Sequence, residues 1–325
     1  MTTSEMIPKL ILNNGHVMPV VGMGTAEFPS IPEKMKSAYL DAIAIGYRHF
    51  DTASLYQTEQ PLGEAIQEAI KLGLIGSREE LFITSKLWCT ENHPDLVLPS
   101  IQSSLRNLNT DYLDLYLIHL PMSVKPGASE FPIKREDVVP LDLKGVWQAM
   151  EECQRLGLTK SIGVSNFNTR KLEELLSFAK IPPAVDQVEM NTSWQQQKLK
   201  KYCANKGICI TGYSPLGGQG GQKLVGINPV LTSDVLKEIA DAKGKTIAQI
   251  ALRWLVEQGV SMVVKSFNKE RLRQNLEIFD WELTEEEREK IGKIPQKNRV
   301  SVDFMLAKEG SLNSIDISNI EIIEV

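Results

Sequence analysis

Short apolar runs alternate along the chain with longer stretches in which apolar residues recur every three or four positions. The short runs predict β-strands at 20–25, 49–53, 81–87, 113–119, 161–165, 184–189, 209–213 and 261–265. Amphipathic stretches such as 59–72 and 142–156 lie between them, and in the latter Val146, Trp147, Met150 and Cys153 follow helical spacing. Two further helices are predicted between the seventh and eighth strands, at 233–242 and 247–257. A hairpin comes first, with strands at 10–12 and 16–18 around an Asn13-Asn14-Gly15 turn. Strand–helix alternation repeated eight times predicts an α/β fold, a (β/α)8 barrel, with the hairpin across its bottom. No linker splits the chain. The expectation is one barrel domain spanning 1–325, with the tail from about 295 to 325 contributing to a pocket at the rim.

Composition narrows the function classes. A net charge of −5 leaves no basic footprint for nucleic acid. No apolar run reaches membrane-spanning length, residues 1–10 lack a signal-peptide core, and the last residues match no anchor. Cys89, Cys153, Cys203 and Cys209 have neither C-x-x-C nor metal-ligand spacing, so reduced thiols and no bound metal are expected. A cytoplasmic monomer acting on a small molecule is the resulting expectation. Asn191-Thr192-Ser193 matches a glycosylation sequon, read as chance.

The candidate chemistry sits at three strand ends. Asp51 closes the second barrel strand and Tyr56 follows it; Lys86 closes the third and His119 the fourth. Parallel neighbouring strands bring all four to one rim. Buried Lys and Asp are rare unless paired, so Lys86 is expected against Asp51. With the ammonium also against the Tyr56 hydroxyl, the tyrosine pKa is expected to fall, making it a usable proton donor. His119 is expected to donate to the same oxygen. Taken singly each residue has an ordinary structural reading: a surface lysine, a capping aspartate, a core-edge tyrosine. Together they describe a site that protonates a developing alkoxide. His49, two residues before Asp51, shares its strand face and is read as a core residue; His16 and His93 are read as turn and loop residues.

Residues 46–56, 113–121 and the run from Val264-Lys265-Ser266 to Asn275 resemble the three signatures of the aldo-keto reductase family, over about 10–295. Leu87-Trp88-Cys89 and the run from Val263 to Asn268 are similar to a plant branch that includes codeinone, chalcone and methylecgonone reductases. The resemblance implies the same roles for Asp51, Tyr56, Lys86 and His119, and a nicotinamide cofactor that gives hydride to a carbonyl. No Rossmann fingerprint is present: Gly22-Met23-Gly24-Thr25-Ala26-Glu27 lacks the third glycine. Barrel ends must therefore hold the cofactor. The resemblance assigns the carboxamide to Ser165, Asn166 and Gln187, stacking to Tyr213, and the pyrophosphate to Ser214 and Leu216. Gly24, Thr25 and Asp51 are placed in the same site. Lys265, Ser266, Arg271 and Asn275 combine two cations, a hydroxyl and a helix start, which suits a 2′-phosphate and favours NADPH over NADH. The alternative for this run is a solvated charged helix face.

The substrate pocket is where the chain departs from the pattern. Ala26 and Leu120 stand where many family members carry Trp, so a wider pocket and a bulkier ketone are expected, such as a tropane or morphinan alkaloid precursor. Phe28, Trp88, Phe131, Trp194, Phe304 and Met305 are further candidates for its wall, each with core packing as the alternative. Two rival functions resemble the same fold: an accessory polyketide reductase working beside a synthase, and a nicotinamide-binding regulatory subunit.

Overall fold

A computed structural model describes residues 7–128, 132–218, 228–297, 300–312 and 315–323. Eight strands form a closed, all-parallel barrel: β3 (Val21–Gly24), β4 (His49–Asp51), β5 (Phe82–Leu87), β6 (Leu113–Ile118), β9 (Thr159–Ser165), β10 (Val185–Glu189), β11 (Cys209–Tyr213) and β12 (Ser261–Val264). Parallel strands buried on both faces read as near-continuous apolar runs, which is why these segments stand out in the sequence. β9 starts at Thr159, two residues before the expected boundary, because Thr159 pairs with Leu113 of β6.

The register places the site. Asp51 pairs with Thr84, and Lys86 lies two residues further along β5. Side chains alternate along a strand, so Asp51 and Lys86 share the inner face, with Lys86 one layer nearer the rim. Deeper in the barrel, Gly22 faces His49: a Cβ on Gly22 would come 2.7 Å from His49 Nδ1, so only glycine fits there. His49 is the core residue expected, 1 % exposed, with its Nδ1 3.1 Å from the Pro19 carbonyl oxygen.

Helices pack around the barrel. Glu59–Lys71, Leu143–Arg155, Asp234–Lys243 and Ile247–Glu257 fall on the expected segments to within one or two residues. Leu143–Arg155 starts where Asp142 accepts from the Gly145 amide, and it buries Val146, Trp147, Met150 and Cys153. Each large side chain buried in this way stabilises the fold by about 1.5–3 kcal/mol. The hairpin β1 (Lys9–Ile11) and β2 (Val17–Pro19) crosses the bottom, where Leu12 and Met18 pack against Phe82, Leu115, Leu117 and Val185.

A separate apolar cluster lies at the opposite rim. The loop after His119 forms a small antiparallel pair, β7 (Ser123–Val124) with β8 (Val138–Val139). The tail docks on this loop: the Ile133 amide donates to Met305 O (2.9 Å) and the Ala307 amide to Ile133 O (2.7 Å). Trp88, Leu120, Val124, Ile133, Leu306 and Ile322 fill the space between. The tail is thus packed on the catalytic rim, as the sequence led us to expect.

Candidate active site

Lys86 and Asp51 form a buried ion pair beneath the rim. The Lys86 ammonium donates to Asp51 Oδ1 (2.5 Å) and to the Thr52 carbonyl (2.9 Å), and Lys86 has no exposed surface. Gln187 on β10 reaches across the barrel and donates to Asp51 Oδ2 at 2.7 Å. Both carboxylate oxygens are therefore engaged. The Tyr56 hydroxyl lies 3.2 Å from His119 Nε2, with the two rings edge to face, and Trp88 packs edge-on against His119 from another side. His119 Nδ1 is buried without a hydrogen-bond partner.

One expectation needs correction. The Lys86 ammonium gives its hydrogen bonds to Asp51 and Thr52, makes none to the Tyr56 hydroxyl, and sits over the Tyr56 ring, 5.0 Å from the centroid. Burial and the nearby Asp51 carboxylate both disfavour tyrosinate, so the phenol pKa rises instead of falling. Burial depresses the Lys86 pKa, with the charges of Asp51 and Glu59 opposing that shift. His119 is held well below the ordinary histidine range by burial and then by the Lys86 charge, so it stays neutral at physiological pH.

The histidines give a pH prediction. His49 and His119 both have folded pKa values below the ordinary 6.5, in each case mainly through burial. Below about 6.5 the unfolded chain takes up protons that the folded chain refuses, so stability is full above that pH and is lost as pH falls. The slope is up to about 1.4 kcal/mol per pH unit for each histidine. Thermal melts should show Tm dropping from pH 7.5 to 5.5, and a flat Tm over that interval would contradict the burial argument.

The cofactor candidates gather along the rim from β9 round to β12. Asn166 has φ +63° and donates through Nδ2 to His119 O and Ser165 Oγ, both at 3.0 Å. The Tyr213 hydroxyl donates to Asn166 Oδ1 at 2.8 Å. Ser165 Oγ donates to the Gln187 carbonyl at 2.7 Å. Ser214, at φ +51°, turns the chain out of β11, and Leu216 packs on the barrel core. Gly24 lies beside Lys265. Two candidates are less accessible than expected. The Thr25 hydroxyl is bonded to Thr58 inside the protein, and its amide donates to the Asp51 carbonyl at 3.0 Å. Asn275 is 5 % exposed, and the Tyr47 phenol nearby donates to the Leu272 carbonyl at 3.0 Å. Arg271 is exposed, with an amide held by the Asn268 cap, and Ser266 Oγ accepts from the Asn268 amide.

Two carboxylates were not singled out from the sequence. Glu27 pairs with Lys265, a contact legible only once β3 and β12 are known to be neighbours. Glu59 is buried at the start of its helix and accepts from Ser85 and Asn107. The donor set from Lys265 to Arg271, with the rim amides and hydroxyls, suits a polyanionic dinucleotide.

Among the pocket candidates, Phe28 is 67 % exposed and stands edge-on to Tyr56, and Ala26 is half-buried beside it. Trp88 is 3 % exposed. Trp194 and Met305 are half-buried. Leu120 departs from expectation: at 1 % exposure inside the tail cluster it has almost no surface to offer a ligand. Phe131, the Phe304 side chain and residues 219–227 lie outside the described residues. The sequon Asn191 is buried. Among the described residues no cluster of metal-binding side chains occurs, and no helix is long and apolar enough to cross a membrane.

Comparison with known proteins matches the chain to the aldo/keto reductase family model over residues 20–295. It is 54 % identical over 317 residues to the 7-acetyl-epi-neemfruitin B aldo-keto reductase of Melia azedarach, covering 97 % of this chain and 98 % of that one. It is 55 % identical over 308 residues to the NADPH-dependent codeinone reductase 1-4 of Papaver somniferum, covering 94 % and 95 %. The structure superposes on the Bombyx mori aldo-keto reductase solved in complex with NADP, with TM-score 0.82, 38 % identity and coverage of 90 % and 94 %. The chain belongs to the aldo/keto reductase family and is an NADP-dependent oxidoreductase acting on carbonyl and alcohol groups.

Proposed function

We propose that the chain reduces a bulky polycyclic ketone, of the size of an alkaloid or similar plant metabolite, with Tyr56 as proton donor. The observation that carries the mechanism is the 3.2 Å approach of the Tyr56 hydroxyl to His119 Nε2 above the Lys86–Asp51 pair. In the Nε2–H tautomer, neutral His119 and the phenol both donate toward one point. A carbonyl oxygen placed there accepts two hydrogen bonds that strengthen as it becomes an alkoxide. The chemistry supplied by bound NADPH is a hydride for the carbonyl carbon. Asn166, Gln187, Tyr213, Lys265 and Arg271 hold that cofactor. Tyr56 delivers the proton, and the buried ammonium behind its ring stabilises the negative charge left on the phenol. The four free cysteines support a reducing, cytosolic setting. The relatives compared act, by their names, on substrates as different as codeinone and a neemfruitin derivative, so pocket shape decides the ketone. A steady-state screen with NADPH against alkaloid ketones, chalcone precursors and simple aldehydes tests the proposal; turnover of small aldehydes alone overturns the bulky-ketone assignment.

Two variants probe the site further. Arg271→Ala should raise KM for NADPH about 10–150-fold while leaving NADH nearly unaffected, because a charge-assisted phosphate contact is worth roughly 1.5–3 kcal/mol. Equal losses with both cofactors would make Arg271 structural. Ala26→Trp should lower kcat/KM for a polycyclic ketone relative to a small aldehyde. Filling a formed pocket costs roughly 1–3 kcal/mol for the large ligand. A constant ratio would remove position 26 from the pocket. Leu120→Trp would not probe the pocket, since overpacking its buried cluster destabilises the rim whatever the substrate.

A further inference from the structure

Thr58 opens the helix Glu59–Lys71, yet its side chain makes no capping hydrogen bond. A threonine in this place ordinarily turns its hydroxyl onto the first amides of its own helix. Here Oγ1 is diverted inward, 2.7 Å from Thr25 Oγ1 and 2.8 Å from Thr52 Oγ1, and all three threonines have no exposed surface. A hydroxyl has one proton to donate and two lone pairs to accept with. Thr58 is thus the middle of a dry hydroxyl chain joining the end of β3, the end of β4 and the start of a helix.

The segment closed by this chain carries Tyr56. From Thr52 the backbone runs through Ala53 and the single 3-10 turn Ser54–Tyr56, passes Gln57 at φ +55°, and returns to Thr58. The Thr52–Thr58 bond cinches the base of the loop. A non-glycine residue in the left-handed region persists only where its surroundings hold it. Other ties exist: Ser54 Oγ donates to Lys86 O at 3.2 Å, and the Glu59 carboxylate accepts from Ser85 Oγ at 2.6 Å. Thr58 alone among them reaches both β3 and β4. Thr52 is itself held at three points, since its amide also donates to the Thr84 carbonyl and its carbonyl accepts from Lys86 Nζ.

We propose that Thr58 is a positioning residue for the proton donor: its hydroxyl fixes the turn bearing Tyr56 to the ends of β3 and β4, and so sets the reach of the phenol toward His119. The proposal rests on the assignment of Tyr56 as donor. Valine at 58 keeps the branched shape and removes both hydrogen bonds.

The test compares Thr58→Val, Thr58→Ser and Tyr56→Phe in the full chain, with NADPH and 4-nitrobenzaldehyde as the carbonyl probe. Displacing a reacting group by about 1 Å costs up to roughly 100-fold in rate, so Thr58→Val is expected to lower kcat roughly 10–100-fold. The dissociation constant for NADPH, read from tryptophan fluorescence, should stay within about twofold of wild type by the same reasoning that only donor placement changes. The solvent deuterium isotope effect on kcat should rise as proton transfer becomes the slow step. Thr58→Ser should recover most of the rate. A Thr58→Val enzyme with wild-type kcat, a loss confined to KM or cofactor binding, or a serine variant as poor as the valine one each overturns the proposal. Tyr56→Phe separates the two levels. An active Tyr56→Phe sinks the donor assignment itself, whereas an inactive Tyr56→Phe beside a fully active Thr58→Val sinks only the positioning role. Should Thr58→Val not fold, Thr25→Val removes the far end of the 2.7 Å contact; it is expected to lower kcat in smaller measure, and an unchanged kcat overturns the proposal.

Discussion

Tyr56→Phe is expected to lower kcat for carbonyl reduction by about 10²–10⁴-fold, the usual contribution of a positioned general acid. The substitution removes one atom whose hydrogen-bond partner is His119 Nε2. The ring keeps its edge contacts with Phe28 and His119 and its place under the Lys86 ammonium. Fold and NADPH affinity should therefore stay near wild type, and the loss should fall on kcat. The raised phenol pKa adds a signature in wild type. The donor keeps its proton beyond the ordinary phenol pKa of 10.0, so reduction should show no alkaline fall-off due to Tyr56 around that pH. Alcohol oxidation needs the phenol deprotonated to accept a proton, and its rate should climb with pH. Near-normal turnover by the phenylalanine variant would show that the proton comes from elsewhere.

The barrel was legible because all eight strands are buried on both faces and their apolar runs are separated by amphipathic helices of ordinary length. Asp51, Lys86 and His119 were legible for a related reason: a charged or titratable residue closing an apolar run has to be paired or used. What sequence spacing does not carry is lateral distance. Gln187 lies 136 positions from Asp51 and meets it only because β10 and β4 face each other across the barrel. Glu27 and Lys265 are likewise joined by barrel closure. The error about the Tyr56 pKa has the same origin. Lys86 lies over the Tyr56 ring, where the sequence places it against the hydroxyl, and the sign of the shift is set by dehydration and then by Asp51, which favour the neutral phenol. Leu120 was misplaced because its surroundings come from the tail, through Leu306, Ile320 and Ile322, and no local pattern announces where a tail will dock.

Asp51→Asn should destabilise the fold by about 3–5 kcal/mol at neutral pH, since breaking a buried ion pair leaves its partner charged and uncompensated. Lys86 has no exposed surface and Asp51 is 3 % exposed, so water cannot replace the lost carboxylate. The Thr52 carbonyl still accepts from Nζ, but a carbonyl dipole does not balance an ammonium charge. The cheaper course is loss of the proton. Burial already lowers the Lys86 pKa below 10.5 while Asp51 opposes the shift; without Asp51 it falls further. In the unfolded chain Lys86 titrates normally. Between the two values the unfolded state binds the extra proton, so the variant gains stability as pH rises, by up to about 1.4 kcal/mol per unit. Wild type keeps its proton to a higher pH and shows this gain only closer to 10.5. The stability gap between the two proteins should therefore narrow from pH 7 to pH 9 in denaturant unfolding. Pairing the change with Lys86→Met should recover much of the loss, because an apolar side chain carries no charge to strand. A gap that stays constant with pH would show that Lys86 keeps its proton without Asp51, and that the carboxylate is not what holds the ammonium in the barrel.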